Sequence, residues 1–548
     1  MKTIIVGGVA AGASTAARLR RLKEFDDIIL LEKGEYIAYA NCGLPYHLGG
    51  VIPQKKQLLL QTPQAFHGRF CVDVRTFSEA VSVDFPRKLL KILDHRSGRC
   101  YEERYDNLVL APDASPVRPA FLDGTEALPV FSLNDIPDAD RIKSHLAEKS
   151  AKSAIVIGGG FIGIEAAENL KHLGLNVRIF EMAPQLLPAA DWDMASMIQS
   201  AMEQNDVSVR TGERVLSLSS HGSSVHVETD RGGYAADIVL CAVGVAPNTR
   251  WLRESDLEMD ERGAIVVDAH MRTNMEGVYA AGDAVLVRNL VDGAASYIPL
   301  AGPANRQGRI VADNIAGLGA SYRGAQGSMI LKVFDRTFAM TGLKEDRAAA
   351  AQKIYISAKS HAGYYPGARD MWIKLLFEPQ TGRVLGAQAF GEDGVDKRID
   401  VFATAIRANM TVFDMTELEL CYAPPYGAAK DPVNMAAFAA QNALNGLVDV
   451  VHGDAIAKLN PETQAVLDVR TGKEYDCGHI AGSIHIPLHE LRARADELPR
   501  GKQLIVHCAS GMRSYIACRM LAQRGFACAN LSGGYDLYDI LYGRKTAR

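Results

Sequence analysis

The stretch TIIVGGVAAG (residues 3–12), a run of apolar residues that ends in a glycine-rich turn, decides the fold. A helix-forming segment follows it, and then a second apolar run ends near Glu32. The same order recurs over residues 154–181, where AIVIGGG opens the segment and Glu181 closes it. Two such strand–helix–strand units, each about 30 residues long, predict an α/β fold with parallel, doubly wound sheets.

Composition and charge narrow the class of protein. Of the 548 residues, 48% are apolar and 23% are charged, which is typical of a globular protein with about three or four domains. The net charge of −4 argues against non-specific nucleic-acid binding. The sequence contains no run of about 18 apolar residues, so we expect no membrane span. The N-terminal glycines fit a turn better than an export signal, so we expect a cytoplasmic protein with no nucleic-acid or membrane partner.

The first glycine turn has the spacing of a dinucleotide-binding fingerprint, with Val9 in place of the middle glycine. Gly7 would allow the tight turn and Gly12 the close approach of helix and strand, so that the helix N-terminus faces a pyrophosphate. Glu32, 25 residues after Gly7, would accept a ribose hydroxyl. A purely structural glycine turn is the alternative.

A distant stretch, TNMEGVYAAGDA (residues 273–284), strengthens the cofactor interpretation. It resembles the second flavin motif of flavoproteins with two dinucleotide-binding domains. In that family the aspartate, here Asp283, holds the ribityl hydroxyls of FAD, and the resemblance also assigns Gly282 and Ala301 to the cofactor. A buried strand that ends in a turn aspartate is the alternative.

The second glycine turn carries an intact G-x-G-x-x-G pattern at Gly158, Gly160 and Gly163. Glu181 lies at the end of the next strand. A carboxylate there accepts a hydrogen bond from a free adenosine 2′-hydroxyl and repels a 2′-phosphate. We therefore predict NADH rather than NADPH. Gly244, in VGVAPN (243–248), resembles the family's strand that returns from the nicotinamide domain.

A single cysteine, Cys42, follows the first unit in the segment AYANCGLPY (residues 38–46). Disulfide reductases of the glutathione reductase type have a second cysteine five positions later, where this chain has His47. Without an internal dithiol, Cys42 would react through a mixed disulfide, a persulfide or a sulfenic acid. An inert buried cysteine is the alternative.

Four segments together resemble the coenzyme A-disulfide reductase group, and the flavoprotein resemblance covers about residues 1–445. The segments are 38–46, LAGPANRQG (300–308), HAGYYPG (361–367) and YAPPYGAAKDPVN (422–434). The resemblance implies a homodimer in which Tyr365 and Tyr426 reach the cysteine of the other subunit, where a tyrosine can protonate a leaving thiolate. Packed turns are the alternative for these tyrosines.

Polar and basic residues are the candidates for binding coenzyme A. They are Arg18, Arg21, Asn41, Arg69 and Lys430. A solvated basic helix face is the alternative for the arginines. The chain departs from the family at Phe70, where a basic residue is usual, at Ala38-Tyr39, where Ser-Phe is usual, and at Asp113, where glycine is usual. An acidic side chain at that last turn bears on flavin affinity and local geometry.

The C-terminal part of the chain resembles a single rhodanese domain. The residues that carry this resemblance are LDVR (467–470), YDCGHIAGS (475–483) and VHCASGMRS (506–514). A strand would end at Cys508 and a helix would run on from Ser514, with several N–H groups directed at the sulfur, which favours a thiolate and a persulfide anion. A phosphatase loop has five residues between cysteine and arginine, whereas four separate Cys508 from Arg513 here.

These observations predict an α/β protein with two Rossmann-like dinucleotide-binding domains, an α+β dimerisation domain and a C-terminal α/β rhodanese domain. The expected boundaries are 1–110 and 255–325 for a split FAD domain, 111–254 for the NADH domain, 326–447 for the dimerisation domain and 455–548 for the rhodanese domain. Residues 448–456 would be a linker. No CxxC pair occurs, so we expect no metal site, and we interpret seven cysteines as structural: Cys71, Cys100, Cys241, Cys421, Cys477, Cys518 and Cys528.

The predicted activity is the NADH- and FAD-dependent reduction of persulfides and coenzyme A disulfides through Cys42, with Cys508 carrying sulfane sulfur beside Arg513. Coenzyme A would then be a substrate or a bound ligand. The alternatives are a dedicated coenzyme A-disulfide reductase whose rhodanese domain only sequesters sulfur, an NADH oxidase or peroxidase, and a sulfur-carrier or redox-sensing module without turnover.

Overall fold

The computed structural model describes residues 1–222 and 224–543, which form two compact units. The first unit comprises Met1–Pro184 and Asp206–Gly327, and the second comprises Gln185–Asn205 and the chain from Ser328 onward. Within the described ranges, no helix has the length and apolar character needed to cross a membrane.

The first 110 residues contain seven strands and three α-helices. In chain order they are β1 (Lys2–Val6), α1 (Ala10–Leu22), β2 (Asp27–Glu32), α2 (Leu44–Leu48), α3 (Pro63–Phe70), β3 (Asp73–Thr76), β4 (Ser78–Asp84), β5 (Leu89–Asp94), β6 (Arg99–Arg104) and β7 (Asn107–Leu110).

Residues 111–327 continue with eighteen further elements, of which α6 belongs to the second unit. They are β8 (Ala114–Pro116), β9 (Val130–Phe131), α4 (Ile136–Lys149), β10 (Ser153–Ile157), α5 (Phe161–His172), β11 (Asn176–Glu181), α6 (Trp192–Gln204), β12 (Ser208–Thr211), β13 (Val215–His221), β14 (Ser224–Thr229), β15 (Gly232–Ala236), β16 (Ile238–Cys241), β17 (Val245–Pro247), β18 (Ile265–Val266), β19 (Val278–Ala280), β20 (Val285–Arg288), β21 (Ala295–Tyr297) and α7 (Ala301–Ile315).

The rest of the second unit contains an antiparallel sheet with its helices, followed by a C-terminal α/β segment. The elements are β22 (Met329–Val333), β23 (Arg336–Gly342), β24 (Gln352–Lys359), β25 (Asp370–Phe377), β26 (Val384–Gly391), α8 (Val395–Arg407), α9 (Val412–Thr416), α10 (Pro432–Leu444), β27 (Asp449–Val451), α11 (Asp454–Ala457), β28 (Gln464–Asp468), α12 (Gly472–Asp476), β29 (Ile484–His485), α13 (Leu488–Arg494), β30 (Gln503–His507), α14 (Met512–Ala522), β31 (Cys528–Leu531) and α15 (Gly534–Tyr542).

A five-stranded parallel sheet in the first unit has the order β19-β7-β1-β2-β3. Ile4 and Ile5 of its central strand have no exposed surface, because a parallel sheet is covered on both faces. Strand β19 comes from residues 278–280, so the chain returns to this sheet after a long excursion. As a result, the carboxyl ends of β1 and β19 lie at the same sheet edge.

A second parallel sheet of the first unit has the order β12-β11-β10-β16-β9. Strands β10 and β11 with the intervening helix α5 repeat the arrangement of β1, α1 and β2. Smaller antiparallel sheets, β4-β5-β6 and β13-β14-β15, complete the described part of this unit together with the pair β8-β17 and the sheet β18-β20-β21. The predicted pair of parallel, Rossmann-like sheets is thus confirmed.

The antiparallel sheet of the second unit has the order β22-β23-β26-β25-β24. Helices α8 and α10 pack on it, and Phe338 of β23 and Phe402 of α8 are fully buried. Helices packed on an antiparallel sheet give the α+β architecture that the sequence predicts for this part of the chain.

The C-terminal sheet is parallel and has the order β27-β31-β30-β28-β29. The prediction of a linker over residues 448–456 is wrong at Asp449–Val451, because this strand pairs with β31 in the register Asp449 to Ala529. Three residues are too few to give a recognisable alternating pattern, so only the paired sheet reveals the strand.

Candidate functional site

The first glycine turn joins β1 to α1 in a conformation that requires glycine. Gly7 has φ +98°, and a Cβ atom on it would lie 1.9 Å from the carbonyl oxygen of Ala111. A Cβ atom on Gly12 would lie 1.8 Å from the carbonyl oxygen of Gly7. Val9 occupies the N-cap position of α1 with φ −95°, which a side chain tolerates, so the missing middle glycine leaves the backbone unchanged.

The second glycine turn has the same geometry. Gly158 has φ +107° and approaches Ala242, and a Cβ atom on Gly163 would lie 1.9 Å from the carbonyl oxygen of Gly158. Nothing lies within 4 Å of the Cβ position of Gly160, the N-cap residue of α5. Gly244 has φ +114° and open space at its Cβ position. The N-terminus of α5 therefore faces open space at Gly160, which fits a pyrophosphate, and the first turn has the same backbone geometry.

One carboxylate supports each turn from the end of the adjoining strand. Glu32 accepts the Gly8 N–H at 2.9 Å, and Glu181 accepts the Gly159 N–H at 2.7 Å. Burial raises the pKa of Glu32 despite these hydrogen bonds. Because each carboxylate oxygen can accept a second hydrogen bond, both residues remain able to bind a ribose hydroxyl.

Asp283 follows β19 at the sheet edge where the first turn lies. Burial, and then the charge of Asp113, raise the pKa of the Asp283 carboxyl to about 7. Among the residues that the structure describes, none donates a hydrogen bond to this carboxylate. Gly282 has φ +83° and donates its N–H to Gln307 at 2.7 Å. A half-buried, unpaired acceptor fits the hydroxyl donors of an FAD ribityl chain.

Asp113 occupies the left-handed backbone conformation that favours glycine, the residue that the resemblance leads us to expect at this position. Its φ is +66°, and its carboxylate accepts the Ala114 N–H at 2.8 Å. Burial raises the pKa of this carboxyl as well. The departure therefore adds strain and a third acidic group beside Glu32 and Asp283.

Cys42 lies in a single 3-10 turn, Asn41–Gly43, that leads into α2. The residue as a whole is exposed, yet the protein around the sulfur displaces water. This desolvation, and then the charges of Glu165 and Asp283, raise the pKa of the Cys42 thiol. The surroundings therefore favour the neutral thiol unless a bound group brings a positive charge or a hydrogen-bond donor to the sulfur.

Glu165 of α5 was not among the predicted site residues. Its carboxylate accepts the hydroxyl of Tyr46 at 3.0 Å, and burial raises its pKa to about 7. His47, five positions after Cys42, is buried, and its Nδ1 lies 2.7 Å from the carbonyl oxygen of Ile52. The structure thus gives His47 a packing position and puts Glu165 beside the thiol.

The predicted coenzyme A contacts have unequal surroundings. Arg18 pairs with Asp313 at 2.8 Å, whereas Arg21 and Arg69 are exposed on α1 and α3. Lys430 is exposed in the second unit. The exposed residues are available to a phosphate, and Arg18 would have to share its guanidinium.

Four tyrosines cluster on the surface of the second unit. They are Tyr364, Tyr365, Tyr422 and Tyr426. Tyr426 is 74% exposed, and the hydroxyls of Tyr364 and Tyr422 lie 2.8 Å apart. Such exposure leaves both predicted residues, Tyr365 and Tyr426, free to contact another subunit.

The Cys508 loop follows β30 and holds a thiol that is only 1% exposed. The Gly511 N–H donates to the sulfur at 3.1 Å, and the Ser514 hydroxyl lies 3.5 Å from it. Helix α14 begins at Met512 rather than at Ser514. The expected cradle of several N–H groups is smaller, because Gly511 is the one backbone donor to the sulfur within the described residues.

Arg513 is positioned by Glu474 of α12. Its guanidinium makes two hydrogen bonds to the Glu474 carboxylate, at 2.8 and 2.5 Å, and also interacts with Cys508. The hydrogen bonds from Arg513 lower the pKa of Glu474 to about 2. The loop therefore has a fixed positive charge beside its sulfur.

One group of carboxylates, Asp191, Asp193 and Glu345, is close enough to hold a metal ion. The ammonium of Lys374, a residue with no exposed surface, lies among them and pairs with all three. A lysine ammonium of β25 therefore occupies the position that a metal ion would take among these three carboxylates.

Comparison with known proteins agrees with this geometry. The sequence model of the pyridine nucleotide-disulphide oxidoreductase family matches residues 1–308, more than half of the chain. The chain belongs to this family. The family's dimerisation domain matches residues 329–432, which indicates a homodimer, and the rhodanese-like domain matches residues 452–540.

Relatives place the oxidoreductase in the predicted group. Coenzyme A disulfide reductase from Staphylococcus epidermidis is 33% identical over 446 residues, which are 80% of this chain and 100% of that protein. Reduced CoADR-RHD from Bacillus anthracis has a TM-score of 0.96 at 44% identity, covering 99% of this chain and 98% of that one. The NAD-dependent persulfide reductase from A. fulgidus has a TM-score of 0.92 at 37% identity, covering 98% and 100%.

Membership of the family confirms the predicted enzyme class and fold class. The protein is an FAD-dependent oxidoreductase that uses a nicotinamide dinucleotide, and it carries a fused rhodanese domain. The roles of individual residues in this oxidoreductase stay predictions. Glu165 and Glu474 carry no local motif, and only the folded structure brings Glu165 near Cys42 and Glu474 onto Arg513.

Proposed function

We propose that this oxidoreductase uses NADH to reduce persulfides and coenzyme A disulfides at Cys42, and that its rhodanese domain carries sulfane sulfur at Cys508. The observation that carries the proposal is Cys42, an exposed, unpaired thiol in the unit that holds both glycine turns. The names of two relatives, coenzyme A disulfide reductase and persulfide reductase, support the two substrate classes.

The reaction begins with Cys42. Its thiolate attacks the sulfur–sulfur bond of a persulfide, RS–SH, takes the terminal sulfur and releases the thiolate RS⁻. Two electrons then convert the Cys42 persulfide, Cys42–S–SH, into HS⁻ and the free Cys42 thiolate. When bound, FAD supplies these electrons from NADH. A disulfide, RS–SR, follows the same course with a mixed disulfide in place of the persulfide.

The remaining predicted site residues would bind FAD, protonate the leaving thiolate or hold the substrate. Gly7, Gly12 and Glu32 would hold the adenosine end of FAD, with Asp283 on its ribityl chain. Tyr365 and Tyr426 would donate a proton to the leaving thiolate across the dimer interface, which their exposure supports. Asn41, Arg21, Arg69 and Lys430 would contact the substrate, and Arg18 would do so while paired with Asp313.

Glu181 would make the enzyme select NADH. Its carboxylate is fixed beside the second turn by the Gly159 N–H, so a 2′-phosphate would meet a like charge in a partly buried site. We expect kcat/KM to be higher with NADH than with NADPH. Glu181→Ala should narrow this preference, and a preference for NADPH in the unchanged protein would contradict the assignment.

The domain division that we propose keeps the boundaries predicted from sequence. The return of β19 to the sheet of β1 supports a split FAD domain, and the parallel sheet from β27 to β31 supports a separate rhodanese domain. A cytoplasmic location is proposed with it, since free thiols persist in that compartment.

The test is anaerobic NADH oxidation with coenzyme A persulfide or coenzyme A disulfide, with sulfide measured in parallel. We expect one sulfide for each NADH consumed with the persulfide, and no sulfide with the disulfide. Turnover of the disulfide alone would favour a dedicated coenzyme A-disulfide reductase. NADH consumption only when oxygen is present would favour an oxidase or peroxidase and would overturn the proposal.

A further inference from the structure

Two cysteines of the rhodanese domain lie against each other. Cys518 belongs to α14 and Cys528 opens β31. The Cys528 thiol donates a hydrogen bond to the carbonyl oxygen of Cys518 at 3.3 Å, and both side chains pack in the same apolar cluster. Both are free thiols, so the structure contains a reduced dithiol that the proposed function does not use.

The two thiols differ in access. Cys518 is 1% exposed within the apolar cluster that also contains Cys508, whereas Cys528 is partly exposed. The neighbouring Cys518 thiol lowers the pKa of Cys528, and the Cys528 thiol in turn raises the pKa of Cys518. Cys528 is therefore the thiol that a reagent meets first, and Cys518 lies behind it.

We propose that Cys518 and Cys528 form an intradomain disulfide when small disulfides act on the protein, which makes the pair a redox modification site. The Cys528 thiolate attacks R–S–S–R, forms Cys528–S–S–R and releases RS⁻. The Cys518 thiol then loses its proton, attacks the Cys528 sulfur and releases the second RS⁻. In total, two protein thiols are oxidised to one disulfide while one R–S–S–R is reduced to two RSH.

The pair is placed where its oxidation reaches the Cys508 loop. Gly511, the backbone donor to Cys508, precedes α14, and its carbonyl oxygen accepts the side-chain N–H of Asn530 on β31 at 3.3 Å. A disulfide between Cys518 and Cys528 would tie these two elements together covalently. This inference goes beyond the proposed function and does not depend on the activity of Cys42.

The test uses the full-length, FAD-loaded protein, with coenzyme A disulfide added and no NADH. Free thiols are then alkylated, and the peptides are identified by mass spectrometry before and after reduction with dithiothreitol. We expect loss of both thiols from alkylation and a peptide that links Cys518 to Cys528.

Three variants isolate the pair. Cys528→Ser should leave Cys518 reduced, and Cys518→Ala should stop the reaction at a mixed disulfide on Cys528. Cys477→Ser, which removes an exposed cysteine of the same domain, is the matched control and should leave the link unchanged. Cys528→Ser and the unchanged protein decide the question if Cys518→Ala does not fold.

Two results would overturn the proposal. One is a mixed disulfide on Cys528 of the unchanged protein that persists while Cys518 remains alkylatable. The other is complete alkylation of both residues after treatment that converts Cys477 to a mixed disulfide. Neither result depends on turnover, so the outcome is separate from the fate of the proposed reductase activity.

Discussion

Cys42 and Cys508 are both assigned reactions with sulfur–sulfur bonds, yet their surroundings are opposite in exposure and charge. Cys42 is exposed, and the charges that act on it, from Glu165 and Asp283, are negative. Cys508 is almost fully buried, receives the Gly511 N–H and has the guanidinium of Arg513 beside it. One thiol lies among carboxylates and the other beside a cation.

The carboxylates at the two sites show the same contrast. Glu165 and Asp283 each have a pKa raised to about 7, because burial disfavours their charged forms. Glu474 has a pKa lowered to about 2, because Arg513 stabilises its charged form. In the rhodanese loop, the negative charge of Glu474 is balanced by Arg513 of the same domain. The Cys42 site has no such cation among these groups, so bound groups would have to balance its charge.

The largest expected effect separates the two thiols by function. Cys42→Ser should lower kcat/KM for persulfides and disulfides by at least about a thousandfold, because the nucleophile is lost. NADH should still bleach the flavin, since hydride acceptance does not need the thiol. Stopped-flow absorbance and steady-state assays measure the two steps.

Cys508→Ser is the matched variant for that comparison. It should leave reduction of coenzyme A disulfide within about twofold of the unchanged protein, because small substrates diffuse directly to Cys42. It should impair turnover only of sulfur that is first loaded on the loop. Equal loss of both activities in a folded Cys508→Ser protein would contradict the division, and full persulfide turnover in Cys42→Ser would overturn the mechanism.

A smaller effect, on the reactivity of Cys508, is expected when Arg513 is changed. Arg513→Lys keeps the charge but loses the paired hydrogen bonds to Glu474, so we expect alkylation of Cys508 to slow about tenfold. Arg519→Lys, on the same helix, is the control, because Arg519 bonds the carbonyl oxygen of Leu447 instead. An unchanged alkylation rate in Arg513→Lys would remove Arg513 from the site.

The glycine turns could be predicted from sequence because their chemistry is local. Gly7 and Gly158 have positive φ and approach a backbone carbonyl, which no other residue type accommodates, so the pattern itself reports the conformation. The change at Val9 was visible as a departure, and the structure shows that its backbone does not need glycine.

Contacts between distant residues could not be predicted in this way. Tyr46 and Glu165 are 119 positions apart, and Glu474 and Arg513 are 39 apart, so no spacing rule connects them. The contact of Cys518 with Cys528 likewise depends on how α14 packs on β31. The sequence therefore predicts the backbone of the glycine turns, but not the carboxylates that set the charge around them.

The charge around Cys42 can be tested through Glu165. Glu165→Gln keeps an acceptor for the Tyr46 hydroxyl but removes the first charge that raises the pKa of Cys42. That pKa should fall, so the rising limb of the pH profile should move to lower pH, and disulfide reduction at pH 7 should increase roughly twofold to threefold. Glu474→Gln is the control and should not move this profile. A shift to higher pH in Glu165→Gln would show that Glu165 does not oppose the thiolate.

The smallest effects concern stability, and they should have opposite signs at the two sites. Burial raises the pKa of Asp113, so its contribution is most favourable below the unfolded value near 3.8 and is lost as pH rises through the folded value. Asp113→Asn removes the buried charge, keeps an acceptor for the Ala114 N–H and suits φ +66°. We expect it to gain on the order of 1 kcal/mol at pH 8 and less at pH 5.

Glu474→Gln removes one carboxylate charge from the other site and should do the reverse. The pKa of Glu474 is lowered to about 2, so its stabilisation is present above the unfolded value near 4.5 and is lost only as pH falls toward 2. Because Arg513 and Glu474 are each 34% exposed, water screens the pair, and the loss at pH 8 should be no more than about 1 kcal/mol. Hydrogen exchange measured on peptides from each unit separates the two effects. A gain at Asp113 together with a loss at Glu474 follows directly from the contrast between the sites, whereas changes of the same sign at pH 8 would show that burial and pairing do not set the charge balance around the two thiols.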